Sequence, residues 1–143
     1  MAISDQLRAQ KSADALWASD NASRALGIVL DRVAPGQATL SLVVEQRHTN
    51  GHGICHGGFI FTLADSAFAF ACNSYNQVTV AQHNAITFIT PGKLGDTLTA
   101  TAIEVDRSGR SGIYDATVVN QDNTTIAVFR GHSRTIKGQL FEE

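Results

Sequence analysis

The chain has 143 residues, of which 43% are hydrophobic and 17% charged, as is typical of one globular domain. Its formal net charge is -2 and it contains no basic block, so a nucleic-acid partner is not expected. No stretch reaches the ~18 to 20 apolar residues that span a bilayer, and the first residues lack a secretory signal pattern. We therefore expect a cytoplasmic protein that does not associate with membranes.

The N-terminal segment, residues 1–26, is predicted to be helical. Between residues 4 and 18, apolar residues recur among polar ones with the spacing of a modestly amphipathic helix. A second short helix is predicted over residues 21–26. Gly27 follows it and is a typical helix terminator.

Beyond Gly27 the apolar residues alternate with polar ones, which indicates strands with one buried face. The first clear run is Gln37 to Glu45, after a turn at Pro35-Gly36. Four more runs follow residue 77 and are separated by short turns: Val78 to Thr90, Thr97 to Val105, Ile113 to Val119 and Thr125 to Ile136. Strands joined by short turns are antiparallel. With the helices, this order predicts a single α+β domain over residues 1–143.

The most informative segment is a predicted buried helix over residues 56–75. Eleven of the fourteen residues from Phe59 to Cys72 are apolar, so most of its circumference should be buried. Its three polar residues, Thr62, Asp65 and Ser66, share one face. A solvated face is one interpretation, but a stripe so poor in charge favours a cleft or a subunit interface. A partly desolvated Asp65 would have a raised pKa and could act as a base or a nucleophile.

A glycine-rich loop precedes this helix, with four glycines and two histidines from Asn50 to Gly58. Gly57 and Gly58 lie where the helix begins, so their N–H groups lack intrahelical acceptors and add to the positive end of the helix dipole. Such a position can bind an oxyanion or polarise a carbonyl. A flexible turn is the alternative interpretation. Glycines that open a buried helix with a single carboxylate favour the oxyanion site.

The same loop contains residue types that bind zinc, namely His48, His52, Cys55 and His56. Their spacing would need a helix to converge on one ion, and the intervening glycines disfavour one, so we expect no metal site. A Cys55 nucleophile is also disfavoured, because no third group orients a Cys55 and His56 pair. We expect Cys55 and Cys72 to be free thiols.

Several short motifs along the chain resemble those of one enzyme family. They are Asn50-Gly-His, Cys55-His-Gly-Gly, Leu63-Ala-Asp, Phe88-x-x-Pro91-Gly and Gly95-Asp-Thr-Leu98. From about residue 20 to residue 137 the chain resembles the hotdog-fold acyl-CoA thioesterases, and in particular the phenylacetic acid degradation (PaaI-type) thioesterases. The resemblance implies an antiparallel sheet wrapped around the long helix, a homodimer, and two dimers that form a homotetramer.

The resemblance also implies roles for individual residues. Asp65 is the catalytic carboxylate, acting as a general base on water or as a nucleophile on the thioester. The N–H group of Gly57 polarises the thioester carbonyl, and Asn50 positions the water or the substrate. His56 supports the loop and the thioester. Because Gly57 and Asp65 are eight residues apart, or ~12 Å along one helix, we predict that each active site is shared between two subunits.

Contacts to the rest of the substrate are less specific in the sequence. Related aryl-CoA thioesterases hold water with a hydroxyl residue one turn after the carboxylate, where this chain has Ala69. The support for the water is therefore absent or comes from Ser66 or Asn50. Gly58 is a separate candidate for substrate binding beside the thioester carbonyl. The candidates for binding the phosphates of CoA are one turn and one strand residue: Gly109, Arg110, Ser111 and Arg130.

Together these features predict a thioesterase that converts an aryl-acyl or medium-chain acyl-CoA, similar to phenylacetyl-CoA, to the free acid and CoA. CoA is part of this substrate, and no separate cofactor is expected. One alternative is a module that binds acyl-CoA without catalysis, although a sensor needs no carboxylate aimed at the thioester. A hydratase or dehydratase of the same fold is disfavoured, because those with a His five positions after the Asp differ from this chain, which has Phe70 there.

Overall fold

The computed structural model describes residues 2–143, and the strands of this part of the chain form one antiparallel sheet. The helices are α1 (Asp5–Ser19), α2 (Asn21–Ala25) and α3 (Gly57–Cys72), and the strands are β1 (Val29–Ala34), β2 (Gln37–Val43), β3 (Thr79–Phe88), β4 (Thr97–Ser108), β5 (Ser111–Val119) and β6 (Thr125–Thr135). A short 3-10 turn, Gln46–His48, lies between β2 and α3. The strand order is β1-β2-β4-β5-β6-β3. The predicted α+β class is confirmed.

Helix α3 packs on one face of the sheet, and nine of its sixteen residues are buried. Its side chains Leu63, Ala64 and Ala67 are completely buried, and each large apolar side chain buried in this way contributes roughly 1.5 to 3 kcal/mol. The helix lies close to β6, where Gly131 faces the ring of Phe68. A Cβ atom at position 131 would come within 2.8 Å of Phe68 Cε2, so this contact requires glycine.

The ends of α3 are fixed by side chains. His56, predicted to begin the helix, is its N-cap residue. The predicted end at residue 75 is wrong, because the helix stops at Cys72 and Asn73 caps it. Asn73 Nδ2 donates to the carbonyl oxygens of Ala69 and Thr79, and its Oδ1 accepts from the Thr79 N–H. These bonds attach the end of α3 to the start of β3, and neither glycine nor proline marks this end in the sequence.

The other element boundaries differ from the predicted ones by three residues or fewer. Strand β4 extends to Ser108 and β5 begins at Ser111 because this hairpin stays paired up to its turn. The predicted stop of the second helix is confirmed, since α2 ends before Gly27, which has a φ of 85°.

The two edges of the sheet differ in how they are covered. Helix α1 packs along β1, and Gln6 Nε2 donates to the backbone carbonyl oxygen of Val33 at 2.9 Å. Strand β3 pairs with β6 on one side, and no described segment pairs with its other side. Most side chains of β3 are exposed. The sheet therefore has one covered edge and one open edge. Within residues 2–143, no helix is both long and apolar enough to cross a membrane.

Candidate active site

The start of α3 presents one free backbone donor. His56 Nδ1 accepts from the Gly58 N–H at 2.8 Å, so the amide of Gly58 is already satisfied. Its proposed use in substrate binding is therefore not supported by its placement. The Gly57 N–H has no hydrogen-bond acceptor among the described residues. The helix dipole adds to the positive field at this position. The His56 side chain thus caps the helix in this structure.

Backbone hydrogen bonds hold the preceding loop in place. The His56 N–H donates to the His48 carbonyl and the Cys55 N–H to the Gly92 carbonyl, both at 2.8 Å. Asn50 Oδ1 accepts from the N–H groups of His52 and Ile54. The amide nitrogen of Asn50 forms no hydrogen bond within residues 2–143, so it is a donor available to a ligand.

His48 and Cys55 have buried positions in or beside the loop. His48 is fully buried, and its Nδ1 accepts from the Glu45 N–H while its Nε2 donates to the Leu26 carbonyl. Burial raises the pKa of Cys55 to about 11, so its thiol is protonated at neutral pH. In the part of the chain that the structure describes, no group of three His, Cys, Asp or Glu side chains is arranged to hold a metal ion. Both cysteines are free, as predicted.

A cavity of about 330 Å³ opens beside the Gly57 amide. Its lining is mainly apolar and comes from the loop, the first turn of α3 and the end of β3: Asn50, Ile54, Cys55, Gly57, Ile60, Phe88, Ile89, Thr90, Pro91 and Gly92. An apolar cavity with a few polar groups at one end is typical of small-molecule sites. The arrangement suits an apolar group whose carbonyl oxygen reaches Gly57.

Asp65 lies two turns further along α3 and contacts the open edge strand. Asn84 Nδ2 donates to Asp65 Oδ1 at 2.8 Å. Burial raises the pKa of Asp65 above its ordinary value, and the hydrogen bond from Asn84 partly opposes that rise. Sequence reasoning missed Asn84. The sequence does contain a signal for Asn84: it is a polar residue on an alternating strand, at a position that shares one face of the strand with Ile86 and Phe88.

The distance along the helix and the distance along the neighbouring strand both show that Gly57 and Asp65 lie far apart within one chain. Along α3 they are eight residues, or ~12 Å, apart. Gly57 lies against Phe88 and Asp65 lies against Asn84, and these two strand residues are four positions, or ~13 Å, apart on β3. The helix and the strand thus run side by side in opposite directions. One chain cannot bring both groups to the same carbonyl.

Two other predicted residues have partners outside this site. Ser66 is buried, and its Oγ lies 2.8 Å from Ser23 Oγ on α2. Because Ser23 Oγ donates to Asp20, the hydroxyl hydrogen of Ser66 is used in this contact between two helices. Arg130 lies on the outer face of the sheet, where its guanidinium donates two hydrogen bonds, of 2.6 and 2.8 Å, to the carboxylate of Asp115. A free phosphate-binding arginine at position 130 is therefore not supported.

The remaining candidates lie in the turn between β4 and β5. Gly109 has a φ of 60°, which favours glycine, and Arg110 and Ser111 are exposed. The Arg110 side chain makes no ion pair with the described residues. Because the Arg110 carbonyl accepts from the Thr135 N–H, the turn lies five residues, or ~17 Å, along β6 from Arg130. The structure does not bring these two arginines together.

Comparison with known proteins identifies the family to which this chain belongs. The sequence model of the thioesterase superfamily matches residues 52–127, from the glycine-rich loop into β6. The chain belongs to the thioesterase superfamily. It is 43% identical over 136 residues to the acyl-coenzyme A thioesterase PaaI of Escherichia coli (strain K12), which is 95% of this chain and 97% of that protein.

Solved structures of thioesterase-superfamily relatives agree with the fold described above. The E. coli PaaI protein from the phenylacetic acid degradation operon has a TM-score of 0.93, with 95% of this chain and 99% of that chain covered. A variant of the phenylacetic acid degradation protein PaaI from Thermus thermophilus is 35% identical, with a TM-score of 0.77 and coverage of 80% and 97%. The predicted hotdog fold, family and thioester hydrolase class are confirmed.

Proposed function

We propose that this thioesterase-superfamily chain hydrolyses the thioester bond of an aryl-acyl or medium-chain acyl-CoA, similar to phenylacetyl-CoA, to the free acid and CoA. The observation that carries the proposal is the half-buried Asp65 carboxylate together with the free Gly57 N–H beside an apolar cavity. The relationship to a protein named acyl-coenzyme A thioesterase, over nearly the whole of both chains, supports the substrate class. We further propose a cytoplasmic location, in line with the two free thiols.

In the proposed reaction the apolar acyl group occupies the cavity and its thioester carbonyl accepts a hydrogen bond from Gly57. Such a donor stabilises the negative charge that develops on the oxygen during acyl transfer. The free amide nitrogen of Asn50 lines the same cavity and is a second donor to the substrate. Asp65 acts as the base or the nucleophile. The reaction needs no resident cofactor, because CoA enters as part of the substrate.

The open edge of β3 supports a dimer with shared sites. Antiparallel pairing of β3 with the same strand of a second copy, about a two-fold axis at Ile86, would set Asn84 opposite the partner's Phe88. Because Asp65 contacts Asn84 and Gly57 contacts Phe88, this register would bring each Asp65 beside the partner's Gly57. Two active sites would result, each with groups from both subunits.

A further association of two dimers into a tetramer belongs to the same proposal. Its support is the outer face of the sheet, away from α3, where the side chains of Val43, Ile103 and Val128 are about half exposed, at 52, 49 and 43%. Apolar side chains that are exposed on one face of a sheet are typical of interaction surfaces.

The test is the release of free CoA from a panel of acyl-CoA substrates, followed with a thiol reagent. The panel contains phenylacetyl-CoA, a second aryl-acyl-CoA, medium-chain acyl-CoAs and acetyl-CoA. We expect turnover of the aryl or medium-chain members, and a loss of kcat of at least ~100-fold in Asp65→Asn, because an amide can neither accept the proton nor attack the carbonyl. Asp31→Asn, on an exposed position of β1, is the matched control.

Each rival function gives a different result in the same assay. A binding module would bind acyl-CoA saturably and release no CoA. A hydratase would add water to an enoyl-CoA and leave the thioester intact. Near-normal CoA release by a folded Asp65→Asn variant would contradict the catalytic role of Asp65.

A further inference from the structure

The carboxamide of Asn84 has one satisfied end and one unsatisfied end. Its Nδ2 donates to Asp65 Oδ1 at 2.8 Å, whereas its Oδ1 is buried and has no hydrogen-bond partner within residues 2–143. Most buried polar atoms in proteins are paired with protein or water. A buried acceptor without a partner, adjacent to the proposed catalytic carboxylate, indicates that a donor from outside the chain belongs there.

The orientation of this carboxamide follows from the charge of its neighbour. An ionised carboxylate only accepts hydrogen bonds, so the amide nitrogen of Asn84 must face Asp65. The amide oxygen is then directed to the other side as an acceptor. On β6 the residue opposite Asn84 is Gly131, which has no side chain and faces the ring of Phe68. That neighbour offers no side-chain donor.

The other polar groups on the same face of α3 are already bonded within the chain. Ser66 is paired with Ser23, and Thr62 Oγ1 donates to the Gly58 carbonyl at 2.9 Å. Ala69, one turn after Asp65, has no polar atom in its side chain. Asn84 is the side chain that combines a bond to Asp65 with a free acceptor.

We propose that Asn84 positions the hydrolytic water, with Nδ2 fixing Asp65 and Oδ1 accepting one of the two water hydrogens. This inference rests on the proposed thioesterase function. It commits Asp65 to the role of general base, because the group placed between Asn84 and the thioester is water. The second hydrogen of that water is directed at Asp65 Oδ2.

The proposed step balances without any further reactant. The water oxygen forms a bond to the thioester carbonyl carbon, and its proton passes to Asp65 Oδ2. The resulting oxyanion accepts the hydrogen bond of the partner's Gly57. When the intermediate collapses, the carbon–sulfur bond breaks and the proton on Asp65 passes to the departing thiolate. Asp65 returns to its ionised state.

The first test compares Asn84→Ala and Asn84→Asp with Gln82→Ala, an exposed amide two positions away on the same strand. We expect kcat to fall about 10- to 100-fold in Asn84→Ala with little change in KM, since a misplaced reacting group costs rate rather than substrate binding. Without the hydrogen bond that opposes its rise, the pKa of Asp65 increases, so the acidic limb of the kcat profile moves to higher pH. Asn84→Asp moves that limb further, because two adjacent carboxylates share a proton. Gln82→Ala changes neither quantity.

The groups around Asp65 allow this pH profile to be interpreted. The Cys72 thiol is close enough to sense Asp65, and burial raises its pKa to about 12, so it stays neutral through the assay. His83 precedes Asn84 on β3 and its ring packs edge-on against His132, with 5.6 Å between ring centroids. Adjacent strand residues point to opposite faces, so this pair lies away from Asp65.

The second test is a single turnover of the wild-type enzyme in H₂¹⁸O with enzyme in excess. Attack by water gives product acid that contains one ¹⁸O atom, whereas attack by Asp65, followed by hydrolysis of the anhydride at the Asp65 carbonyl, leaves the label on the enzyme in the first turnover. Unlabelled product, or a folded Asn84→Ala dimer with normal kcat and an unshifted pH profile, would overturn the inference. If Asn84→Ala does not fold, the inference is tested by the pH profile of the near-isosteric Asn84→Asp variant and by the ¹⁸O content of the product acid. Absence of CoA release by the wild-type enzyme would instead contradict the proposed function itself.

Discussion

The ring of Phe88 lies directly against the backbone of Gly57, and a Cβ atom added at position 57 would come within 3.0 Å of Phe88 Cζ. The φ angle of Gly57 is not in the left-handed region, so any preference for glycine here comes from this contact and not from backbone conformation. The ring covers the Cα side of the helix start while the N–H group remains free. A Cβ atom at position 57 requires the Phe88 ring to shift slightly.

This contact determines how the Gly57 N–H should be tested. Gly57→Pro removes the N–H, and the extended backbone of His56, with φ -61° and ψ 132°, is compatible with a following proline. Gly57→Ala adds the same Cβ contact with Phe88 but keeps the N–H. We expect kcat of the proline variant to fall roughly 100- to 1,000-fold, the usual cost of one oxyanion donor, and that of the alanine variant to fall much less. Equal losses in the two would contradict a role for the N–H.

Mixing defective subunits tests whether each active site is shared. Asp65→Ala and Gly57→Pro homo-oligomers should each be nearly inactive. After co-refolding, a mixed dimer has one site with both defects and one with neither, so activity should recover toward half the wild-type value per mixed dimer. The measurement is CoA release by heterodimers isolated with two different affinity tags. If verified heterodimers of folded parents stay inactive, the site lies within one chain.

Disulfide trapping tests the register of the proposed β3 pairing. A two-fold axis at Ile86 places residue 85 opposite residue 87 of the partner, and both side chains are exposed. The Ala85→Cys/Thr87→Cys double variant should oxidise to a covalent dimer, seen on a non-reducing gel. Each single variant should stay monomeric on that gel, because its two thiols would lie beyond the ~7 Å Cα limit for a disulfide. Cross-linking of a single variant would indicate another register.

The raised pKa of Asp65 predicts a pH-dependent gain of stability in Asp65→Asn. A carboxyl group whose pKa is higher in the folded than in the unfolded state binds more protons when folded, so its ionisation destabilises the fold as pH rises through that interval. The amide has no such cost. We expect a higher Tm for Asp65→Asn at pH 7, with the difference shrinking toward pH 4. A lower Tm at pH 7 would show that burial of Asp65 is not costly.

The two arginine candidates for the CoA phosphates should now differ. Arg110 is exposed and unpaired among the described residues, so Arg110→Ala should raise KM for acyl-CoA several-fold with little change in kcat, because a remote phosphate contact stabilises ground and transition states equally. Arg130 is held by Asp115, so Arg130→Ala should have a smaller effect. Arg32→Ala, on the opposite edge strand, serves as the control. Unchanged KM for Arg110→Ala, measured with full-length acyl-CoA and with a short pantetheine thioester, would place the nucleotide elsewhere.

Local patterns in the sequence predict the elements of this fold but not their side-chain partners. The apolar circumference of α3 and the alternation of the strands are readable because each depends on a repeating spacing. The bonds between Asn84 and Asp65 and between Ser66 and Ser23 join residues 19 and 43 positions apart. No periodicity specifies such pairs, since they depend on how the elements pack. The end of α3 was missed for the same reason, because Asn73 caps the helix through bonds that reach β3.

The unequal edges of the sheet also bear on solubility. A free strand edge is a template for indefinite growth into filaments, and a chain with two free edges could add copies at both. Here α1 covers β1, and Gln6 occupies the carbonyl of Val33. In the proposed dimer, pairing through β3 would use both open edges and leave the two β1 edges outside, so the six strands of each copy would join into one sheet whose ends are both packed by α1. In that dimer the N-terminal helix, far from the active site, would limit further edge-to-edge association.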